Sequence, residues 1–122
     1  MTFASVSLIT RDVPALASFY ADVLGVEAQG DNEHTELKTK GAGLTIFSTA
    51  GMERMAPNSM QDAGSGSVIL AFEVDDVDAE YVRLKNLGVE FVKPPQTHPW
   101  GSRSLWFKDP EGNIVDFYSI PS

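Results

Sequence analysis

Apolar positions along this chain keep two rhythms, one of period two and one of about three and a half. Residues 3–10 alternate: Val6 and Leu8 share one face, Ser5, Ser7 and Ile9 the other, which predicts a strand. Asp12 is placed as an N-cap, and Pro14 is tolerated in a first helical turn. Leu16, Phe19, Tyr20, Val23 and Leu24 then follow helical spacing in one stripe, and Gly25 suits the left-handed end of that helix. Residues 26–48 hold three short strands, with turns at Gly30-Asp31-Asn32 and Lys40-Gly41-Ala42-Gly43. The last strand runs from Leu44 to Ser48.

Residues 49–66 show no strand alternation and little helical signal, and predict a long loop. They carry Met52, Met55 and Met60. A loop of this length inside a small domain is usually functional or disordered, and methionines repack around varied apolar shapes. It is read either as a mobile lid over a ligand cavity or as a connector whose methionines rest on the core.

From about Ser67 the alternation resumes. Leu70, Phe72 and Val74 share one face of a strand, Ile69, Ala71 and Glu73 the other. Asp76 caps a helix whose buried stripe is Val77, Tyr81, Leu84 and Leu87, and Gly88 ends it. A strand from Val89 to about Lys93 stops at Pro94-Pro95, because proline cannot donate to a sheet ladder. Residues 96–102 form a loop. Ser104–Lys108 and Asn113–Ser119 make a hairpin across Asp109-Pro110-Glu111-Gly112-Asn113.

The two halves repeat each other. Asp12-Val13 recurs as Asp76-Val77, and Leu24-Gly25-Val26-Glu27 recurs as Leu87-Gly88-Val89-Glu90 at one residue's shorter spacing. Each copy reads strand, aspartate cap, amphipathic helix, then strands. Repetition near half the chain length predicts two similar modules, about 1–48 and 67–122, in one domain spanning 1–122.

Composition narrows the function. At 122 residues with 43% hydrophobic, the chain suits one soluble domain. It has no cysteine, which excludes disulfides and thiolate metal sites. No apolar run is long enough to span a membrane, and no basic segment precedes the first apolar stretch, so a cytoplasmic protein is expected. A net charge of −8 opposes binding to nucleic acid.

Several phrases, in this order, resemble the vicinal oxygen chelate superfamily, also called the glyoxalase/bleomycin-resistance/dioxygenase family. They are Arg11-Asp12-Val13 with Phe19-Tyr20 and Leu24-Gly25, then Ala71-Phe72-Glu73-Val74-Asp75-Asp76-Val77, Pro99-Trp100-Gly101, and Asp109-Pro110-Glu111-Gly112-Asn113. The resemblance implies an α+β fold: two βαβββ modules forming a curved eight-stranded mixed sheet around a cleft. It also implies that residues alternate to the helix-covered ones line a cavity, and that a homodimer is expected.

Metal-using members of that family place a ligand on the first and last strand of each module. The corresponding positions here are Ser5, Thr45, Ile69 and Asp116. One carboxylate, two hydroxyls and an isoleucine fall short of what a divalent ion requires, so no metal and no other cofactor is expected. The two histidines, His34 and His98, lie outside these slots. The same parity gives a pocket part apolar and part hydrogen-bonding: Ser5, Ser7, Thr45, Phe47, Ile69, Ala71, Asp116 and Tyr118, with His98 and Trp100 at its mouth. Trp106 is read as a packing residue at least as much as a stacking surface. Two function classes stay open, beside a structural dimer with a vestigial cavity. One is a metal-free protein binding a small, planar or cationic, antibiotic-like molecule. The other is a lyase or isomerase related to glyoxalase, with Asp116 or Glu73 as base.

Overall fold

The computed structural model describes residues 1–120. It divides into two compact units, Met1–Gly64 and the residues from Ser65 onward. Each is a βαβββ module built on a four-stranded mixed sheet, and the fold is α+β.

The first module begins with β1 (Ser5–Thr10) and α1 (Val13–Leu24), followed by β2 (Ala28–Gly30), β3 (His34–Leu37) and β4 (Gly43–Ser48). Asp12 caps α1 by accepting from the Ala15 N–H at 3.1 Å, and Gly25 closes the helix in the left-handed region at φ 65°. The strand order is β1-β4-β3-β2, with β1 parallel to β4 and the other pairs antiparallel. α1 packs against β3 and β4 through Val13, Leu16, Ala17, Tyr20 and Val23, all buried. Leu8, Thr10, Thr35, Leu37, Leu44 and Ile46 are the buried sheet residues beneath it. The opposite face carries Ser7 opposite Thr45 and Ile9 opposite Phe47.

The predicted loop 49–66 is not all loop. Its first part is a short helix, α2 (Thr49–Met55), capped by Ser48, whose Oγ accepts from the Gly51 N–H at 2.9 Å. Glu53 then accepts from the backbone N–H groups of Asn58 and Met60 at 2.7 and 3.0 Å, tying the following turn back to α2. The cap escaped sequence reading because Ser48 also ends β4, so its hydroxyl looks like a strand position.

The second module repeats the plan with β5 (Ile69–Glu73), α3 (Val77–Leu87), β6 (Glu90–Thr97), β7 (Arg103–Lys108) and β8 (Ile114–Ser119). Asp76 caps α3 on the Ala79 N–H at 3.1 Å, and Gly88 ends it at φ 76°. The sequence repeat is therefore a structural repeat. Strand order is β5-β8-β7-β6, with β5 parallel to β8. The core under α3 is aromatic. Phe107 meets Phe117 edge-on at 5.2 Å and Phe91 at 6.5 Å; Phe72 meets Phe117 at 6.0 Å; Tyr81 meets Phe91 at 5.0 Å. Leu87 does not join this stripe: it is the last residue of α3 and is 46% exposed.

β6 also departs from expectation. It continues through Pro94-Pro95 to Thr97 instead of stopping at Lys93. Its place at the sheet edge allows this, since proline's missing donor costs nothing where no neighbour needs it. The strand is irregular there: its pairing with β7 shifts register between Phe91 and Lys93, and again between Lys93 and Gln96.

Candidate functional site

The first register shift decides the chemistry of the second module. Phe91 pairs with Phe107 on the helix-covered face. Two residues along β6, Lys93 pairs with Trp106, only one residue along β7. This bulge turns Lys93 onto the opposite, open face. In sheet order that face carries a row of Ala71, Asp116, Trp106 and Lys93, beside a row of Glu73, Tyr118, Ser104 and Gln96.

A cavity of about 550 Å³ opens on this face. Lys93, His98, Trp100, Ser102, Ser104, Trp106, Asp116, Tyr118 and Ile120 line it. The Lys93 ammonium donates to Ser104 Oγ at 2.8 Å and to the Ser104 carbonyl at 3.3 Å, and lies 5.2 Å from the Trp106 ring centre. His98 Nε2 shares the same hydroxyl at 2.8 Å, so Ser104 Oγ bridges the amine and the imidazole.

A turn between β6 and β7 sets the mouth. The His98 carbonyl accepts from Gly101 N–H at 2.9 Å and the His98 N–H donates to the Ser102 carbonyl at 2.8 Å. This holds the Trp100 indole flat against the His98 ring, with centroids 4.6 Å apart and planes 4° from parallel. Trp100 Nε1 donates to Ser102 Oγ at 2.8 Å. Arg103 fixes the base of the turn, donating to both Asp78 oxygens at 2.9 and 2.8 Å and to Thr97 Oγ1 at 2.9 Å.

Asp116 is the one carboxylate among the described residues that line the cavity. Its Oδ1 is buried and has no hydrogen-bond partner among the described residues. Burial pushes its carboxyl above the usual carboxylate range, against the opposing pull of the Lys93 ammonium, a hydrogen bond from Trp106 and the charge of His98. Burial likewise pulls the Lys93 amine below the usual lysine range, partly offset by Asp116. An acid that holds its proton more tightly in the folded state stabilises the fold below its unfolded pKa. That contribution is lost as pH rises through the folded value, so ionised Asp116 is a net cost at neutral pH. Asp116→Asn is therefore expected to melt above the parent at pH 7, with the gain shrinking towards pH 3.8, the carboxyl's ordinary value. Thermal melts across that range read the trend. A lower melting temperature for the variant at pH 7 would contradict it.

Of the residues expected from sequence, the structure gathers His98, Trp100, Asp116 and Tyr118 around this cavity. Ile69, Ala71 and Glu73 share the open face but do not line the cavity, and all three are exposed. Ser5, Ser7, Thr45 and Phe47 belong to the first module, where Ser7 Oγ and Thr45 Oγ1 bond each other at 2.6 Å. Sequence reasoning missed Lys93 and Ser104, and left Trp106 open between packing and stacking; the structure puts it in the cavity wall. The proline pair after Lys93 was the available signal, since a proline pair inside a strand marks irregular pairing.

The family resemblance raises the question of a metal. Ser5 and Ile69 are exposed, Thr45 is bonded to Ser7, and the ammonium of Lys93 acts on the carboxylate of Asp116. Among the described residues, no group of three or more His, Cys, Asp or Glu is placed to hold an ion. These residues do not fit a divalent metal.

Comparison with known proteins gives one family and one fold. The family model of the Glyoxalase/Bleomycin resistance protein/Dioxygenase superfamily matches residues 2–117. The uncharacterised protein YraH of Bacillus subtilis is 27% identical, over 98% of this chain and 99% of its own length. A crystal structure of a protein of unknown function from Agrobacterium tumefaciens is 29% identical, covering 99% of this chain and 95% of that one, with a TM-score of 0.81. A glyoxalase/bleomycin resistance protein/dioxygenase family enzyme from Burkholderia phytofirmans superposes with a TM-score of 0.86 over 99% of this chain and all of that one (100%); at 20% identity this is a likeness of fold.

Proposed function

Since the chain belongs to the glyoxalase/bleomycin resistance protein/dioxygenase superfamily, we propose that it is a metal-free small-molecule binding protein whose site is the open face of its second module. The observation that carries this reading is a cavity flanked by two indoles, with a buried carboxylate oxygen at Asp116 that has no partner among the described residues. A buried acceptor without a donor costs about 1–3 kcal/mol, which a ligand donor recovers. Lys93 changes the ligand that this implies. The carboxylate already has a cation acting on it, so a simple cationic ligand gains less than Asp116 alone would suggest. The best fit is planar and partly apolar, with a donor for Asp116 and a carbonyl-type acceptor for Lys93.

A second reading, a lyase or isomerase with Asp116 as base, draws on the same raised carboxyl. The assembly we assign is a homodimer in the cytoplasm. Exposed apolar side chains at Val68, Ile69 and Val92, on or beside the edge strands β5 and β6, support the dimer. No helix among the described residues is long and apolar enough to cross a membrane.

A thermal-shift screen tests the reading. Planar aromatic amides with adjacent donor and acceptor are expected to raise the melting temperature more than simple aromatic cations or anions. Zinc, nickel and manganese are expected to leave it unchanged. Stabilisation by anions alone, or by a stoichiometric metal, would overturn the assignment.

A further inference from the structure

We propose that Lys93 forms a reversible imine with a planar aldehyde held in the second module's cavity, with Asp116 handling the protons. The inference rests on the binding reading above and adds a covalent step to it. Three features of the cavity carry it.

The first is placement. Lys93 lines the cavity, and Trp106 pairs in register with both Lys93 and Asp116, so amine and carboxyl flank one indole on the same face. The second is a route for the proton that the amine must lose. Ser104 Oγ lies 2.8 Å from Lys93 Nζ and 2.8 Å from His98 Nε2. A hydroxyl so placed can accept from the amine and donate to the imidazole, passing a proton between them. The third is the open oxygen of Asp116, buried and without a partner among the described residues, where a group on the reacting ligand can be met. Burial also acts in the required direction on both groups: it favours neutral amine at Lys93 and protonated acid at Asp116.

The step balances without an oxidant or reductant. The neutral amine's lone pair attacks the carbonyl carbon, the C–N bond forms, and the carbonyl π pair moves to oxygen. A proton moves from nitrogen to that oxygen, giving a carbinolamine. The Asp116 acid then protonates the hydroxyl, the C–O bond breaks, and water leaves as the iminium forms. Hydration reverses the sequence and releases the aldehyde. The Trp100 and Trp106 faces favour an aromatic aldehyde over an aliphatic one.

The chain supplies its own controls, since Lys38, Lys40, Lys85 and Lys108 lie outside the cavity. Incubating the protein with 4-hydroxybenzaldehyde and cyanoborohydride traps any imine as a stable secondary amine, and peptide mass mapping locates it. Lys93 is expected to be modified at least about tenfold faster than the mean of the other four, a modest share of what positioned acid–base groups supply. Asp116→Asn and Ser104→Ala are each expected to slow Lys93 and leave the reference lysines unchanged. The isosteric 4-hydroxybenzyl alcohol, which forms no imine, reports binding alone through its thermal shift. If the alcohol binds but Lys93 reacts no faster than the other lysines, the imine is overturned and the binding reading stands. If neither compound binds and Lys93 shows no preference, both are overturned.

Discussion

Replacing Phe107 by alanine is expected to destabilise the second module by about 3–5 kcal/mol, the range for truncating a fully buried aromatic. The side chain is 0% exposed and meets Phe91 on one side and Phe117 on the other, both edge-on. Removing it empties the middle of the aromatic row beneath α3, and rigid β-strands collapse poorly into such a hole. Urea unfolding followed by circular dichroism measures the loss. Phe107→Leu keeps most of the volume and should retain a measurable transition if the alanine variant is unfolded. Trp100→Ala is the contrast: 76% exposed, it should change stability by no more than about 0.5 kcal/mol. A Phe107→Ala cost below about 1 kcal/mol would mean that the aromatic row is not the module's core.

Part of that row was readable in the sequence: strand alternation gives Phe72 to one face and helical spacing gives Tyr81 to the buried stripe. The two aspartate caps and two glycine exits were readable as well, and they made the duplication visible. Less local features were not. Pro94-Pro95 looked like the end of a strand because nothing local says that β6 lies at a sheet edge, where prolines are tolerated. Leu87 kept the right spacing, yet helical phase alone does not tell which residues at the end of a helix are covered. The short helix α2 was lost because seven residues give too few turns to show a stripe.

The site was legible where it depends on alternation and hidden where it depends on a bulge. Asp116 and Tyr118 alternate with Val115 and Phe117, and the sequence placed them on the open face. Lys93 has the parity of Phe91, which assigns it to the core. Only the unpaired residue between them reverses it, and that residue is visible in the pairing with β7 alone. The missing lysine misdirected the electrostatics: a solitary carboxylate asks for a cation, whereas a carboxylate beside an ammonium asks for a donor and an acceptor together.

Asp116→Ala is expected to weaken a planar donor-bearing ligand by about 1.5–3 kcal/mol, the range for a hydrogen bond to a charged group. The variant removes the free Oδ1 acceptor and also leaves Lys93 without its nearby counter-charge. Both losses act on the same ligand edge. A ligand whose donor is blocked by methylation should bind the parent weakly, and should lose little more in the variant. Titration calorimetry of one such pair, a planar aromatic lactam and its N-methylated analogue, into parent and Asp116→Ala completes the cycle. The expected result is a parent that prefers the unmethylated amide and a variant that no longer distinguishes the two. Equal affinity of parent and variant for the unmethylated amide would contradict a ligand site on the open face of the second module.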